Sequence, residues 1–342
     1  MNSNLEQVRQ FLSADGDLLV VTHFSPDGDA IGSLLAFSGL LDQLVVKHII
    51  GIDGACPERY GFMPGSQIIR NLHINPIQRI FERVVILDAG ALPRIGSVQD
   101  CIGKDTRVMN IDHHYTGPLC GDINLVNVDA SATAEILYDL CHALGIEINT
   151  QIAYGLYVGI LADTGRFRFS NTNARSLKIC GDLVDLGVDP SWVTENVYYN
   201  QPFDCFQALA TALANAELHC DGMVCLIYLD KRFRDSDTEG IVEYAASVKS
   251  VALATFIREM DEGVFKVSLR SRCRIDVATI ARKFGGGGHL KAAGFRYKGN
   301  KSELFDSLLN KLKQQIEQQA ILKSADFLDG VLQKARAGRM DG

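Results

Sequence analysis

Short apolar runs alternate with longer amphipathic segments over residues 1 to about 187. This alternation is typical of an α/β fold, in which the buried strands of a parallel sheet are joined by covering helices. The apolar runs predict strands at Asp17–Thr22, Leu44–Ile50, Val84–Leu87, Arg107–Ile111 and Ile123–Val126. The amphipathic segments predict helices at Ala30–Gln43, Ala132–Leu144, 150–161 and 174–186, the second with Ser131 as its N-cap and Glu135 near its first turn.

The pattern changes after Gly187 and Pro190. Residues 188–217 are rich in Ala, Asn and Gln and predict a helical linker between residues 1–187 and a smaller α+β domain at 218–322. Residues 323–342 predict a tail without a core of its own. Within the smaller domain we predict strands at Met223–Leu229, Val251–Glu259, Val264–Arg270 and Gly294–Tyr297, and helices at Ile241–Lys249, Val277–Lys283 and Ser302–Gln319.

Composition places the chain among cytoplasmic proteins. Its 342 residues, 47% of them hydrophobic, are enough for two packed domains. The longest nearly apolar stretch, Ile152 to Ala162, is too short to cross a bilayer, and the first residues lack the pattern of a signal peptide. The nine cysteines are scattered without a Cys-x-x-Cys spacing, as is typical of reduced thiols. We therefore expect a cytoplasmic protein with no membrane segment.

The net charge of −7 narrows the class of partner. Affinity for long nucleic acids comes from many Lys and Arg contacts with phosphates, which an acidic chain does not favour. A mononucleotide or a short oligonucleotide needs only one or two such contacts. We therefore expect no binding to long duplexes, while short nucleotide substrates stay compatible with the charge.

Carboxylates and imidazoles follow four apolar runs of the chain. Taken singly, most of these positions have a structural explanation, such as a Pro-Asp-Gly turn, a polar strand end or a helix end. Three consecutive ionisable groups after one strand, however, cannot all be core residues. The positions are His23, Asp27 and Asp29 after the first predicted strand, Asp88 after the third, Asp112, His113 and His114 after the fourth, and Asp163 after an apolar helix.

Together these groups indicate a metal site. Carboxylate oxygens and imidazoles without cysteine are ligands for hard divalent ions, and the carboxyl ends of parallel strands present their side chains at one edge of a sheet. The set is large enough for two ions. Such a pair, about 3.5–4 Å apart, activates water at neutral pH and stabilises a phosphoryl transition state. A carboxylate shared by both ions is required, and Asp88 at a central strand end suits that position.

The four motifs resemble those of DHH-family phosphoesterases, in the NrnA-like branch of nano-RNases and 3′-phosphoadenosine-5′-phosphate (pAp) phosphatases. The resemblance covers nearly the whole chain, including segments 121–126 and 130–135. It implies two divalent ions, Mn²⁺ with Mg²⁺ or Co²⁺ as alternatives. The implied ligands are His23, Asp27 and Asp88 for the first ion, and Asp29, Asp88, His113 and Asp163 for the second.

The same resemblance implies roles for the neighbouring side chains. Asp112 would orient its neighbours, and His114 would face the phosphate as a donor, so that His114 and Asp88 are the candidate catalytic groups. One departure is visible, since Gly117 stands where many relatives have Asn. This change affects a loop contact and removes no metal ligand.

The glycine run at 285–288 is the second distinctive segment. Glycines allow a backbone to approach a ligand closely, although such a run is often only a flexible loop. Here it resembles the GGGH motif of the DHH-associated C-terminal domain, which implies that it binds the nucleotide end of the substrate across a cleft between the two domains. The family also places an Arg-Ser pair in this pocket. The candidate substrate-binding residues are Gly286, Gly287, Gly288, His289, Arg270 and Ser271.

The resemblance implies a hydrolase that converts short oligoribonucleotides to mononucleotides and pAp to AMP. Its partners would be short RNA or DNA oligonucleotides and nucleotide bisphosphates. The sequence does not decide between a monomer and a homodimer. A phosphodiesterase for cyclic dinucleotides or linear pApA is an alternative within the same chemistry. A non-catalytic nucleotide-binding protein is an alternative of another class, which the intact His and Asp residues at all four motifs disfavour.

Overall fold

The structure, a computed structural model, describes residues 2–114 and 120–318. The chain divides between Asn200 and Gln201 into two compact units. Gly117, residue 319 of the last predicted helix and the tail predicted at 323–342 lie outside the described residues. Among the described residues, no helix is both long enough and apolar enough to cross a membrane.

Unit 1 is an α/β unit with a parallel sheet, as the apolar pattern predicts. Its strands are β1 (Leu18–Val21), β2 (His48–Ile52), β3 (Arg70–Asn71), β4 (Arg83–Leu87), β5 (Arg107–Asp112) and β6 (Ile123–Val126). They pair in the order β3-β2-β1-β4-β5-β6, every pair being parallel. Its helices are α1 (Asn2–Ser13), α2 (Gly28–Gln43), α3 (Thr133–Leu144), α4 (Thr150–Asp163), α5 (Ala174–Asp185) and α6 (Pro190–Tyr198).

The central strands β1 and β4 are apolar apart from Arg83, which begins β4, because both faces of the sheet are covered. Successive residues of a strand point to opposite faces, so Val20 and Val85 lie in one core cluster, whereas Val21 and Val84 lie in another. All five residues of β4 are buried. Continuous apolar strands of this kind are typical of parallel sheets with helices on both sides.

Helices α2 and α4 pack through glycines. A Cβ atom on Gly32 would lie 2.3 Å from the carbonyl oxygen of Gly155 and 2.9 Å from the amide nitrogen of Gly159. Neither helix could carry a side chain at this crossing without moving apart. The glycines therefore bring the first turn of α2 and the last turns of α4 close together, which are the parts that carry Asp29 and Asp163.

Two local predictions for unit 1 are wrong. The strand predicted at Leu44–Ile50 begins only at His48, because Leu44 caps α2 and Val45 has a φ of 56° in the turn that follows. The predicted N-cap Ser131 does not cap α3, whose N-cap position is held by Ala132. The Ser131 hydroxyl donates instead to the Glu135 carboxylate at 2.7 Å. Helix α1 and the short strand β3 were not predicted.

Unit 2 is an α+β unit. Its strands are β7 (Ala216–His219), β8 (Val224–Leu229), β9 (Leu253–Asp261), β10 (Val264–Ser271), β11 (Gly287–Gly288) and β12 (Ala292–Lys298). They form one sheet in the order β11-β12-β10-β9-β8-β7, in which only the β8–β9 pair is parallel among the described strands. Its helices are α7 (Phe203–Ala214), α8 (Ile241–Ser247), α9 (Val277–Arg282) and α10 (301–318).

The predicted second domain is confirmed in its α+β character, and two of its strands were missed. The end of the segment predicted as a helical linker forms β7 instead, which pairs antiparallel with β8. Strand β11 has only two residues, both glycine, so no apolar alternation marks it.

Candidate metal centre and substrate-binding residues

The carboxyl ends of three adjacent strands carry most of the candidate groups. His23 lies two residues after β1, Asp88 follows β4 directly, and Asp112 ends β5. Asp27 is the N-cap of α2, and its side chain accepts hydrogen bonds from the amides of Asp29 and Ala30. Asp163, by contrast, is the last residue of helix α4, not a strand end.

The structure brings the candidate ligand atoms together around Asp88. Asp88 Oδ2 lies 3.9 Å from His23 Nε2, and Asp88 Oδ1 lies 3.6 Å from His113 Nε2. His23 Nε2 is also 4.0 Å from Asp27 Oδ1, and His113 Nε2 is 3.9 Å from Asp29 Oδ2 and 3.5 Å from Asp163 Oδ2. These distances exceed a hydrogen bond. They are distances that two atoms can span when both bind one ion at about 2.0–2.2 Å.

Three groups of side chains in this cluster could each hold an ion, and Asp88 belongs to all three. Within each group the candidate ligand atoms lie within 4.8 Å of one another. Asp88 has a φ of 55°, a left-handed conformation that is uncommon outside glycine and often found at functional sites. The groups are His23, Asp27 and Asp88; Asp29, Asp88 and His113; and Asp88, Asp112 and His114.

Thr133 fixes two of the carboxylates, and the sequence did not single it out. Its amide donates to Asp29 Oδ2 at 2.6 Å, and its hydroxyl donates to Asp88 Oδ1 at 2.9 Å. The amide of Ala134 donates to Asp29 Oδ1 at 3.0 Å. Since these amides belong to the first turn of α3, a carboxylate from another helix takes the place of a local cap. Both carboxylate oxygens of Asp29 are thus held in fixed orientations within the cluster.

Asn171 fixes the carboxylate at the end of α4. Its side-chain amide donates to Asp163 Oδ2 at 3.2 Å, to the Asp163 carbonyl at 3.0 Å and to the Ser131 carbonyl at 2.9 Å. The loop after α4 is thereby tied to the segment before α3. Asn171 is a second residue that the sequence did not single out.

Asp112 orients His114. Asp112 Oδ1 accepts hydrogen bonds from the His114 amide at 2.9 Å and from His114 Nδ1 at 2.7 Å. Its other oxygen accepts the Gly90 amide at 2.6 Å. The hydrogen bond at Nδ1 fixes the orientation of the His114 imidazole ring. Burial opposes ionisation of Asp112, but the hydrogen bonds from His114 and Gly90 lower its pKa to about 2.

The charges of the cluster favour a bound cation. Burial and then the charges of Asp29 and Asp27 raise the pKa of Asp88 well above its usual value, and burial also raises the pKa of Asp29. Burial lowers the pKa of His23 to about 4, so His23 is neutral at pH 7. Its buried Nε2 makes no hydrogen bond with any residue that the structure describes. A neutral imidazole beside crowded carboxylates fits a divalent ion.

Comparisons with known proteins agree with this site. The model of the DHH family, N-terminal domain, matches residues 17–160, and that of the DHHA1 domain matches residues 221–318. The chain is 31% identical over 309 residues to the bifunctional oligoribonuclease and PAP phosphatase NrnA of Thermus thermophilus, covering 89% of this chain and 91% of that protein. The chain belongs to the DHH family.

Two further relatives support the assignment to the DHH family. The protein of Bacillus subtilis with the same name is 26% identical over 288 residues, covering 81% of this chain and 88% of that one. A crystal structure of an exopolyphosphatase-related protein from Bacteroides fragilis is 27% identical, with a TM-score of 0.82, and covers 93% of this chain and 98% of that one. The predicted family is thus confirmed.

The candidate residues of the DHHA1 domain meet at one edge of its sheet. Arg270 pairs with Ala292 in the β10–β12 register, and the Ser271 amide donates to the Lys291 carbonyl at 2.9 Å. The Arg270 guanidinium forms an ion pair with Glu243 at 2.9 Å. Ser271 is buried, and its hydroxyl donates to the Cys273 carbonyl at 3.2 Å. Both side chains thus have internal partners that a substrate would have to replace.

The second half of the glycine run belongs to the sheet of unit 2. Gly287 and Gly288 pair with β12, and the His289 amide donates to the Ala292 carbonyl at 2.7 Å. A Cβ on Gly286 would lie 2.1 Å from the Gly294 carbonyl oxygen, and one on Gly288 would lie 2.5 Å from that of Ala292. The glycines are therefore required for close backbone packing, which leaves His289 half-buried in the turn after them.

Metal binding by this DHH-family site is expected to release protons. Asp88 and Asp29 have raised pKa values, and the pKa of His113 is raised because Asp163 and Asp29 outweigh the opposing effect of burial. A divalent ion must displace the protons that these groups hold. The affinity for Mn²⁺ should therefore rise as the pH increases through the ordinary pKa of histidine, about 6.5, and above it.

Isothermal titration calorimetry with Mn²⁺ in buffers of different ionisation enthalpy measures this release. The observed heat should change with the buffer in proportion to the protons released. Asp105→Asn, which changes an exposed carboxylate away from the cluster, should behave like the wild type. A heat that does not depend on the buffer would contradict the expected protonation of the metal-free site.

Proposed function

We propose that this chain is a divalent-metal-dependent phosphoesterase that hydrolyses short oligoribonucleotides to mononucleotides and pAp to AMP. The observation that carries the proposal is the convergence of buried imidazoles and carboxylates on Asp88. The names of the relatives from Thermus thermophilus and Bacillus subtilis, bifunctional oligoribonuclease and PAP phosphatase, support the two substrate classes.

Two ions would be held in this site, with Asp88 shared between them. When bound, such ions supply a nucleophile at neutral pH and stabilise the charge of the transferring phosphoryl group. Oxygen and imidazole donors suit Mn²⁺, with Mg²⁺ or Co²⁺ as alternatives. The proposed ligands are His23, Asp27 and Asp88 for one ion, and Asp29, Asp88, His113 and Asp163 for the other.

The remaining side chains position these ligands and the phosphate. Thr133 and Asn171 hold the carboxylates of Asp29, Asp88 and Asp163 in fixed orientations. The pKa of His114 is lowered, because burial outweighs the hydrogen bond to Asp112. A phosphate close to the ring would favour its protonated form. In that form Nε2–H donates to a phosphoryl oxygen, and Asp112 stabilises the charge.

The DHHA1 domain would bind the nucleotide end of the substrate. Arg270 would exchange its ion pair with Glu243 for a substrate phosphate, which a guanidinium binds through two parallel hydrogen bonds. The turn at Gly286, Gly287, Gly288 and His289 would contribute backbone amides and an imidazole. In this proposal residues 1–187 form the catalytic domain, 188–217 the linker, 218–322 the substrate-binding domain and 323–342 the tail.

The test is the hydrolysis of four substrates with Mn²⁺, side by side at equal concentration. They are pAp, a 5′-labelled RNA dinucleotide, pApA and cyclic di-AMP. Release of mononucleotides from the dinucleotide together with AMP from pAp is the expected result. A strong preference for cyclic di-AMP would move the function to second-messenger turnover. No hydrolysis of any of the four would overturn the proposal in favour of a binding protein.

A further inference from the structure

Arg94 lies beside His114, the proposed hydrogen-bond donor to the substrate phosphate. A Cβ atom on Gly90 would be 3.3 Å from Arg94 Nη1 and 3.5 Å from the Cγ atom of His114, so the guanidinium and the imidazole both lie against Gly90. The backbone of Arg94 is fixed as well, because its carbonyl accepts the amide of Phe24 at 2.8 Å. Arg94 therefore faces the loop that carries His23 and Asp27.

The charge of Arg94 acts on the metal cluster without being neutralised locally. Its side chain is half-buried, and its guanidinium forms no ion pair with a carboxylate among the described residues. After burial, the charge of Arg94 is the largest influence on the pKa of His23, and both lower it. Burial has the largest effect on the pKa of Asp27 and of His114, and the charge of Arg94 has a smaller effect that lowers both. A half-buried arginine without an anionic partner is a candidate for binding an anion.

The balance between the charges of the ions, their ligands and the substrate indicates which anion Arg94 would bind. Two divalent ions carry four positive charges, and four proposed ligand carboxylates offset them: Asp27, Asp29, Asp88 and Asp163. Asp112 is hydrogen-bonded to His114 and adds no positive charge to this balance. The charge of a substrate phosphate then has no counter-charge in this set. A phosphodiester brings one negative charge, whereas a phosphomonoester brings about −1.5 to −2 at pH 7.

We propose that Arg94 binds the scissile phosphate together with His114, and that it offsets the additional negative charge of a phosphomonoester. This inference rests on the proposed function, because it assigns a residue to one of the two substrate classes. Arg94 thus allows one metal centre to act on both a monoester, as in pAp, and a diester, as in pApA. The guanidinium donates two hydrogen bonds to non-bridging oxygens on the side of the phosphate that faces Gly90.

The test compares Arg94→Gln and Arg94→Lys with the wild type on pAp and pApA, whose scissile groups are a monoester and a diester. We expect Arg94→Gln to lower kcat/KM on pAp by about 10- to 100-fold, the range for loss of a charged hydrogen-bond partner, and to lower it less on pApA. Arg94→Lys should recover part of the loss on pAp. Arg107→Gln is the matched control, because Arg107 begins β5 at the opposite edge of the same sheet.

A second readout does not depend on turnover. Inorganic phosphate should bind the Mn²⁺-loaded protein at least about 10-fold more weakly in Arg94→Gln than in the wild type or Arg107→Gln. The affinity for Mn²⁺ itself should not fall, since Arg94 is not a ligand and its positive charge opposes cation binding. Unchanged phosphate affinity, or equal losses on pAp and pApA, would overturn the inference. A wild-type protein inactive on both substrates would overturn the proposed function instead, and phosphate binding would still decide the role of Arg94.

Discussion

Asp88→Asn is expected to reduce the hydrolysis of both pAp and a dinucleotide by roughly 1,000-fold or more, a larger loss than removal of a single transition-state donor. The same substitution should raise the melting temperature of the metal-free protein. The pKa of Asp88 is raised by burial and by the neighbouring carboxylates. Its ionised form is therefore unfavourable in the native state at pH 7, and stability falls as the pH rises toward the folded pKa. Asparagine removes this penalty and keeps the shape.

Two measurements check this prediction. Initial rates with Mn²⁺ give the loss of activity, and thermal unfolding with a chelator gives the melting temperature, which should rise by a few degrees. Asp105→Asn, at an exposed turn, should change neither quantity. Activity like that of the wild type would remove Asp88 from the reaction. A lower melting temperature in the absence of metal would show that the carboxylate stabilises the fold.

Gly159→Ala is expected to weaken Mn²⁺ binding by about 10- to 100-fold and to lower stability by about 1–3 kcal/mol. A Cβ at this position would lie 2.6 Å from the Cβ of Ala134 and 2.7 Å from Asp29 Oδ1. Helix α4 would have to move away from the first turn of α3, where the amides of Thr133 and Ala134 hold the Asp29 carboxylate. The substitution therefore acts on packing and on a proposed ligand at once.

Gly181→Ala is the matched control for Gly159→Ala. It also lies in a helix, α5, and a Cβ there would meet no atom within 4 Å. Since alanine is a better helix former than glycine, this control should be stabilised by up to about 1 kcal/mol. Denaturant unfolding and calorimetric titration with Mn²⁺ measure both effects. If Gly159→Ala behaved like Gly181→Ala, the close packing would have no role in the metal site.

The parallel sheet and the convergence of the acidic and imidazole groups could be predicted, because strand ends are visible in the sequence. His23, Asp88 and Asp112 each follow a buried apolar run, and parallel strands bring their carboxyl ends to one edge. The position of Asp163 could be predicted for a different reason. It ends an apolar helix, and only its resemblance to the family motif connected it with the strand-end groups.

The residues that position the ligands could not be predicted. Thr133 and Asp29 are 104 residues apart in the chain, and a threonine at a helix start is usually explained by capping. The sequence predicts Ser131 as that cap, but the first amides of α3 donate to Asp29 instead. The sequence does contain a signal for the close packing of α4 against α2. Gly155 and Gly159 are four residues apart and so lie on one face of an apolar helix.

The proposed hydrolysis of short phosphoesters depends on a divalent-metal site built around Asp88. Its most direct test is the rate of AMP release from pAp by the metal-stripped protein, measured before and after Mn²⁺ is added. We expect no release before addition and rapid release afterwards. The same rate in both conditions, or no release in either, would contradict it.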